Sequence, residues 1–173
     1  KKLERAKRNV AKNKWLLENK TFAFLDIETT NLKGNIGEIL CACVKPLNEE
    51  VKVFSASNSD KIVVKKLRDE ILKYDYIVTW YGSGFDVPFI QTRLKMYAEI
   101  PITMFRHIDL YYTARSYLKL HSNRLDVVEE SLFGTSSKTR LIGQIWGNAA
   151  RGKKDALQYV IEHCIEDVNI LER

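Results

Sequence analysis

The most constraining feature of this 173-residue sequence is a pair of acids at the end of an apolar segment. Residues 21–27 alternate in character and are rich in Phe and Leu, which predicts a β-strand carrying Asp26, with Glu28 two residues further on. Because strand side chains alternate between faces, both carboxylates project to the same side. Two like charges there repel each other and resist burial. They fit either a strand end entering a polar loop or a site for Mg²⁺ or Mn²⁺, which prefer oxygen ligands.

Two further acids occupy distinctive positions later in the chain. Asp86 follows a short predicted strand at 76–80 and a glycine loop, and it precedes a predicted helix from about 88 to 97. It could therefore simply be the N-cap of that helix. Asp167 lies in the last predicted helix, about 154–172, with His163 four residues earlier on the same face. This pair is either a surface His–Asp pair or, at the border of core and solvent, part of a functional site.

The remaining hydrophobic pattern predicts an α/β fold. Strands are expected at 38–44 and 51–54, forming an antiparallel meander with the first strand. Helices are expected at 1–18, 61–73, 108–119, 124–133 and 138–150. The chain thus reads as three strands, a helix, a fourth strand and then mostly helices. The last helix presents an apolar stripe formed by Leu157, Val160, Ile161, Cys164, Val168 and Leu171.

The positive charge of the chain is concentrated at its N-terminus. The net charge is +6, and residues 1–20 alone carry eight lysines and arginines against two glutamates. The rest of the chain is therefore neutral. We predict a basic helical extension at 1–19 and a folded domain at 20–173. The extension either contacts nucleic-acid phosphates or is a solvated helix or linker from an upstream domain.

The composition restricts the class of protein. With 45% hydrophobic and 29% charged residues, the chain is typical of a globular domain, and no apolar run reaches the ~18 residues of a membrane span. The three cysteines have no disulfide or zinc-site spacing, which favours a reducing, intracellular (cytoplasmic) compartment. The initial lysine suggests a fragment, so we expect that further domains have been lost.

Together, the three acidic motifs resemble the DEDD superfamily of 3′→5′ exonucleases. That superfamily has Asp-x-Glu on its first strand, Phe-Asp before a helix, and Tyr-x-x-x-Asp or His-x-x-x-x-Asp in a late helix. The Phe-Asp-Val-Pro-Phe run at 85–89 is most similar to the proofreading domain of B-family DNA polymerases and their stand-alone relatives. Asp109-Leu110 and the segments 124–128 and 132–134 are also similar to that group. The resemblance covers about residues 21–173.

The resemblance implies a ribonuclease H-like fold, with a mixed central sheet and flanking helices, and a two-metal hydrolysis of the 3′-terminal phosphodiester of single-stranded nucleic acid, with DNA favoured over RNA. Asp26 would bridge two Mg²⁺ or Mn²⁺ ions, and Glu28, Asp86 and Asp167 would complete their shells. His163 would orient or deprotonate the attacking water. Substrate contacts are expected beside the motifs, at Ile27, Thr29, Tyr81, Phe89, Ser122 and Asn123, although core packing also explains Phe89.

The sequence departs from the family pattern at two places. Many relatives have an asparagine shortly before Phe-Asp, whereas Tyr81 and Gly82 occupy the neighbouring positions here. The last motif has the three-residue gap of the tyrosine branch, but His163 stands in the tyrosine position. Two alternatives to an exonuclease therefore stay open: another ribonuclease H-like nuclease, acting on RNA or endonucleolytically, and a catalytically silent nucleic-acid-binding module.

Overall fold

The computed structural model describes residues 2–55, 59–103, 105–137 and 142–173, with the side chains of 2, 3 and 5–8 excepted. A five-stranded mixed sheet has the order β3-β2-β1-β4-β5. Its strands are β1 Phe22–Thr29, β2 Ile39–Pro46, β3 Lys52–Ser55, β4 Tyr76–Thr79 and β5 Arg106–Asp109. Strands β1, β2 and β3 form the predicted antiparallel meander, while β4 and β5 run parallel to β1. The predicted α/β class is confirmed.

Helices cover both faces of this sheet. They are α1 Lys2–Asn19, α2 Lys61–Ile71, α3 Asp86–Met96, α4 Leu110–Tyr117, α5 Leu125–Phe133, α6 Gly143–Ala150 and α7 Lys154–Glu172. In this part of the chain no helix is long and apolar enough to cross a membrane. Cys41, Cys43 and Cys164 are buried free thiols, in agreement with the absence of a disulfide pattern.

The alternation of β1 separates two hydrophobic cores. Ala23, Leu25 and Ile27 pack with α2 and α3 on one face. Phe22 and Phe24 belong to the core on the other face, which also contains the apolar stripe of α7. By the same period of two, Asp26 and Glu28 share the face of Phe22 and Phe24. The central strand therefore carries both acids toward α7.

The sequence prediction missed one strand, and it placed the starts of the helices α4 and α6 too early. The fifth strand, β5, lies where we predicted the start of a helix, and α4 begins only at Leu110. The strand is short and lies at the sheet edge. Its residues are Arg106, His107, Ile108 and Asp109, of which only Ile108 is aliphatic, so its apolar signal is weak. The helix predicted at 138–150 corresponds to α6, which begins at Gly143 with Ile142 as its N-cap, and 138–141 lie outside the described residues.

The basic extension forms a helix, as predicted. Its described side chains are almost all exposed, and Leu16 packs against the core shared with α7. The junction with β1 is fixed by Asp75, whose carboxylate accepts hydrogen bonds from Lys20 Nζ at 3.1 Å and from the Thr21 amide at 3.0 Å. The helix is thus joined to the domain by a defined contact, and its exposed surface carries basic residues together with Val10, Trp15 and Leu17.

Candidate active site

Strand β1 and helix α7 form the first half of the site. The His163 Nε2 atom lies 3.8 Å from Glu28 Oε1 and 3.8 Å from Asp167 Oδ2. The next residue of α7, Cys164, donates a hydrogen bond from its Sγ atom to the Asp26 carbonyl at 3.4 Å. These contacts place the face of α7 that carries His163 and Asp167 directly against the acid pair of β1.

Asp86 contacts β1 along the strand edge that faces β4. The pairing of β1 with β4 ends at Phe24 and Val78, so the later amides of β1 have no strand partner on that edge. The Asp86 carboxylate takes over this role and accepts a hydrogen bond from the Ile27 amide at 3.1 Å. The N-cap interpretation of Asp86 is therefore wrong. Phe85 is the N-cap of α3, and Asp86 is its first helical residue, 3% exposed.

The environment of Asp26 and Asp86 opposes the ionisation of these two carboxyls. Burial, followed by repulsion from Asp167, Asp86 and Glu28, raises the pKa of Asp26 well above its ordinary value. Burial raises the pKa of Asp86 to about 7, with a smaller contribution from Asp109 and Asp167. Four acids from three separate segments therefore act on one another. Such mutual destabilisation is typical of functional sites.

The donor set suits a hard divalent cation in its chemistry. Asp26 Oδ2 is buried and accepts no hydrogen bond from any described residue, although a buried carboxylate oxygen ordinarily has a partner. A cation would supply the missing partner and offset the repulsion. The described residues nevertheless contain no group of three or more His, Cys, Asp or Glu side chains arranged closely enough to hold an ion. The fit therefore rests on the chemistry of the oxygens and on their electrostatics.

His163 and Asp167 are more deeply placed than the sequence suggested. We predicted that both lie at the border of core and solvent, but each is only 5% exposed. The reason is that α7 packs along β1 and β2, so the acid pair of β1 covers this side of the helix. The surface-pair alternative for these two residues is thereby excluded.

An open cavity of about 460 Å³ adjoins the acids. It is lined by Asp26, Trp80, Tyr81, Tyr111, Ser122, Asn123, Arg124, Leu125, Asp126 and Asp167. The Trp80 indole donates a hydrogen bond to the Asn123 carbonyl at 3.1 Å, which fixes the segment 122–124 along one wall. Aromatic rings, one arginine and three acids thus line the same open cavity.

The structure separates the six expected substrate contacts into two groups. Tyr81, Ser122 and Asn123 line the cavity. Ile27, Thr29 and Phe89 are 4%, 2% and 3% exposed. Phe89 belongs to the core against α2, as the packing interpretation requires, and its ring leaves no face for a base to stack on.

Several cavity residues were missed by sequence reasoning. Trp80 and Tyr111 lie in ordinary apolar segments and carry no signal of their own. Asp109 is the last residue of the unpredicted strand β5, and its side chain accepts hydrogen bonds from the amides of Tyr81, Ser83 and Tyr111. Recognising β5 would have placed Asp109 at the carboxyl end of a parallel strand, where functional side chains of α/β folds gather.

Comparison with known proteins agrees with this architecture. The family model of the ribonuclease H superfamily matches residues 23–173. A DNA polymerase of Methanocaldococcus jannaschii is 31% identical over 98 residues, which cover 44% of this chain and 6% of the polymerase. The family B DNA polymerase of the hyperthermophilic archaeon Pyrobaculum calidifontis has the same fold, with a TM-score of 0.75 and 17% identity over 88% of this chain and 23% of that one. The chain therefore corresponds to a small part of each polymerase.

Proposed function

This chain belongs to the ribonuclease H superfamily, and from that premise we propose that it is a metal-dependent 3′→5′ exonuclease acting on single-stranded nucleic acid, with DNA preferred to RNA. The observation that carries the proposal is that the charges of Asp167, Asp86 and Glu28 act on Asp26, and that Asp26 and Asp167 line an open cavity. The similarity to archaeal DNA polymerases supports DNA as the substrate.

The four carboxylates would hold two Mg²⁺ or Mn²⁺ ions. When bound, these ions activate the attacking water and stabilise the leaving oxygen of a phosphodiester. The protein contributes the oxygen donors on a rigid frame, since Asp26 and Glu28 lie on the central strand and Asp86 is fixed by the Ile27 amide. Such a frame keeps the donors in place without reorganisation during the reaction.

His163 would handle the proton of the attacking water. Its Nε2 atom faces both Glu28 and Asp167 at 3.8 Å, so it lies among the carboxylates and not at the outer wall of the cavity. An imidazole with a reference pKa near 6.5 can accept a proton at neutral pH, whereas a tyrosine, with a reference pKa near 10, mainly orients water by hydrogen bonding. The neighbouring carboxylates would stabilise the imidazolium that forms.

The cavity wall would bind the strand that carries the scissile bond. Tyr81 and Tyr111 offer aromatic surfaces, and stacking of bases on such rings tolerates any sequence. Arg124, whose side chain is 73% exposed and lies 3.3 Å from Asp126, can contact a phosphate. The Ser122 and Asn123 side chains add hydrogen-bonding groups beside it.

The experiment that tests this function is a polarity assay. Single-stranded DNA and RNA of equal sequence, labelled at either the 5′ or the 3′ end, are incubated with the protein in Mn²⁺ and in EDTA. We expect a ladder of shortening products from 5′-labelled DNA, immediate release of a labelled mononucleotide from 3′-labelled DNA, and neither in EDTA. Internal cleavage, or a preference for RNA, would favour another ribonuclease H-like nuclease. Binding without hydrolysis would favour the silent module.

A further inference from the structure

The loop between β4 and α3 contains a tyrosine in an unfavourable backbone conformation. Tyr81 has a φ of +61°, a left-handed geometry that costs a non-glycine residue about 1 kcal/mol or more. Tyr81 is nevertheless 44% exposed to solvent, and it lines the cavity together with Asp26 and Asp167. Such strain persists only where surrounding contacts impose it. The Tyr81 carbonyl accepts hydrogen bonds from the amides of Gly84 and Phe85, and the Tyr81 amide donates its own hydrogen bond to a side chain on a neighbouring strand.

That side chain is Asp109, at the end of β5. Its Oδ1 atom accepts hydrogen bonds from the amides of Tyr81 at 2.9 Å and of Tyr111 at 3.1 Å. Its Oδ2 atom accepts from the Ser83 amide at 3.0 Å and from the Ser83 hydroxyl. One carboxylate thus binds both sides of the turn at Tyr81 and also caps α4. Charge-assisted bonds of this kind are the stronger class of hydrogen bond.

The ring of Tyr81 is confined as well as its backbone. Its centroid lies 4.9 Å from that of Tyr111, with the planes at 67°. A Cβ at Gly84 would stand 2.5 Å from the Tyr81 ring, so only glycine lets the ring lie against the loop. The ring is therefore held between Gly84 and Tyr111, and its exposed part faces the cavity.

We propose that Asp109 is a positioning residue that holds Tyr81 in this conformation so that its ring stacks on a base of the bound single strand. The inference rests on the proposed function, because it assigns a role at the same site. Asp109 does not touch the substrate. It acts through Tyr81, and the strain at Tyr81 is what makes an independent support for that ring necessary.

The test is a double-mutant cycle measured by binding. The probe is an oligodeoxynucleotide with a 3′-terminal 2-aminopurine and a phosphorothioate last linkage, titrated in Mn²⁺, and the readouts are the dissociation constant and the fluorescence quenching that stacking produces. Tyr81→Gly removes the ring while glycine accepts the left-handed backbone. We expect it to weaken binding roughly tenfold to a hundredfold, the range for loss of one stacked base, and to abolish most of the quenching.

If Asp109 acts through Tyr81, Asp109→Ala should lower affinity and quenching to a similar extent. In the Tyr81→Gly background, however, it should have no further effect on either, because the ring that it positions is gone. Asp109→Asn keeps the side-chain shape but loses one acceptor oxygen. This variant replaces Asp109→Ala in the cycle if the alanine variant fails to fold. Tyr117→Ala, on α4 and 85% exposed, is the matched aromatic control and should change neither readout.

Two outcomes would overturn the inference. Additive losses from Tyr81→Gly and Asp109→Ala would show that Asp109 acts independently of the ring. Unchanged quenching in Asp109→Ala or Asp109→Asn, in a folded protein, would show that the ring needs no such support. Failure of the wild-type protein to bind the probe at all would instead contradict the proposed function. The two failures are therefore distinguishable.

Discussion

The carboxylates of Asp60 and Asp26 lie on opposite sides of the sheet, and their surroundings differ. Asp60, just before α2, is fully buried. Its oxygens accept hydrogen bonds from the Ile39 amide at 2.8 Å, from Arg93 Nε at 2.9 Å and Nη2 at 2.7 Å, and from the Tyr97 hydroxyl. Asp26, by contrast, lines an open cavity and lies near three other acids, and its Oδ2 atom accepts no hydrogen bond from the residues that the structure describes.

The contrast separates a structural acid, Asp60, from Asp26, for which we propose a functional role. Asp60 has its counter-charge within the chain, so its contacts tie β2, α2 and α3 together. Asp26 has no basic partner among the described residues, and burial, followed by repulsion from its acidic neighbours, raises its pKa. A fold retains such an arrangement only when something outside the chain completes it, which here would be divalent cations. Mutations of the two acids should therefore affect different properties of the protein.

The largest expected effect is on hydrolysis. Asp26→Ala and Asp167→Ala should each reduce activity to background while the protein stays folded, because each removes a cation ligand and also relieves repulsion. Rates of shortening of 5′-labelled DNA in Mn²⁺, together with circular dichroism, check this. Asp155→Ala, which removes an exposed acid at the start of α7, should retain wild-type activity. Full activity of both cavity variants, or of the wild type in EDTA, would exclude this assignment.

His163 should give the next largest effect. His163→Ala is expected to lower kcat by roughly 10²-fold or more, the usual scale for loss of a general base. His163→Tyr should restore part of that activity, since the gap to Asp167 already fits tyrosine. The acidic limb of the pH–rate profile should also move or vanish in the tyrosine variant, measured at saturating metal for both proteins. Wild-type activity of His163→Ala across the pH range would place the base elsewhere.

Asp60 should show the opposite pattern. Asp60→Ala leaves the 4% exposed Arg93 without its buried partner, and breaking a buried ion pair in this way costs about 3–5 kcal/mol. Asp26→Ala, the matched substitution in the cavity, should leave the free energy of unfolding unchanged or raise it. Urea unfolding of the metal-free proteins gives both values. Equal destabilisation by the two substitutions would contradict the distinction drawn between them.

The smallest effect is expected from the basic helix. Deleting residues 1–18 should weaken binding of single-stranded DNA and flatten its salt dependence, because fewer counterions are released. Lys12→Gln with Lys14→Gln, both on exposed positions of α1, should reduce the log–log salt slope by about 0.7 per lysine contacting a phosphate. Lys65→Gln with Lys66→Gln, at exposed positions of α2, should leave the salt slope unchanged. An unchanged slope after deletion would favour the linker interpretation.

The sequence predicted those parts of the site that depend on local periodicity. The shared face of Asp26 and Glu28 follows from the period of a strand, and the pairing of His163 with Asp167 follows from one helical turn. The bond from Ile27 to Asp86 could not be predicted, because it depends on where the pairing of β1 with β4 ends. The partners Asp60 and Arg93 are distant in sequence and form no motif.

The pH dependence of stability follows from the raised pKa values of Asp26 and Asp86. Both carboxyls bind a proton more tightly in the folded state than in the unfolded chain, where an aspartate has a pKa near 4. Without cations, the free energy of unfolding should therefore fall as pH rises from about 4 through the folded pKa of Asp86, about 7. Thermal unfolding in EDTA across this range measures the trend. Substituting Asp26 by Asn should make it shallower.

The most direct test of the proposed cation site is the effect of Mn²⁺ on thermal unfolding at pH 8, which lies above the pKa of about 7 of Asp86. We predict that Mn²⁺ raises the Tm of the wild-type protein in a concentration-dependent manner, since a ligand of the folded state stabilises it. Asp26→Asn should have a Tm in EDTA equal to or above that of the wild type, and should lose most of the response to Mn²⁺. An identical response to Mn²⁺ in both proteins, or none in the wild type, would contradict the claim that Asp26 and its neighbours form a cation site.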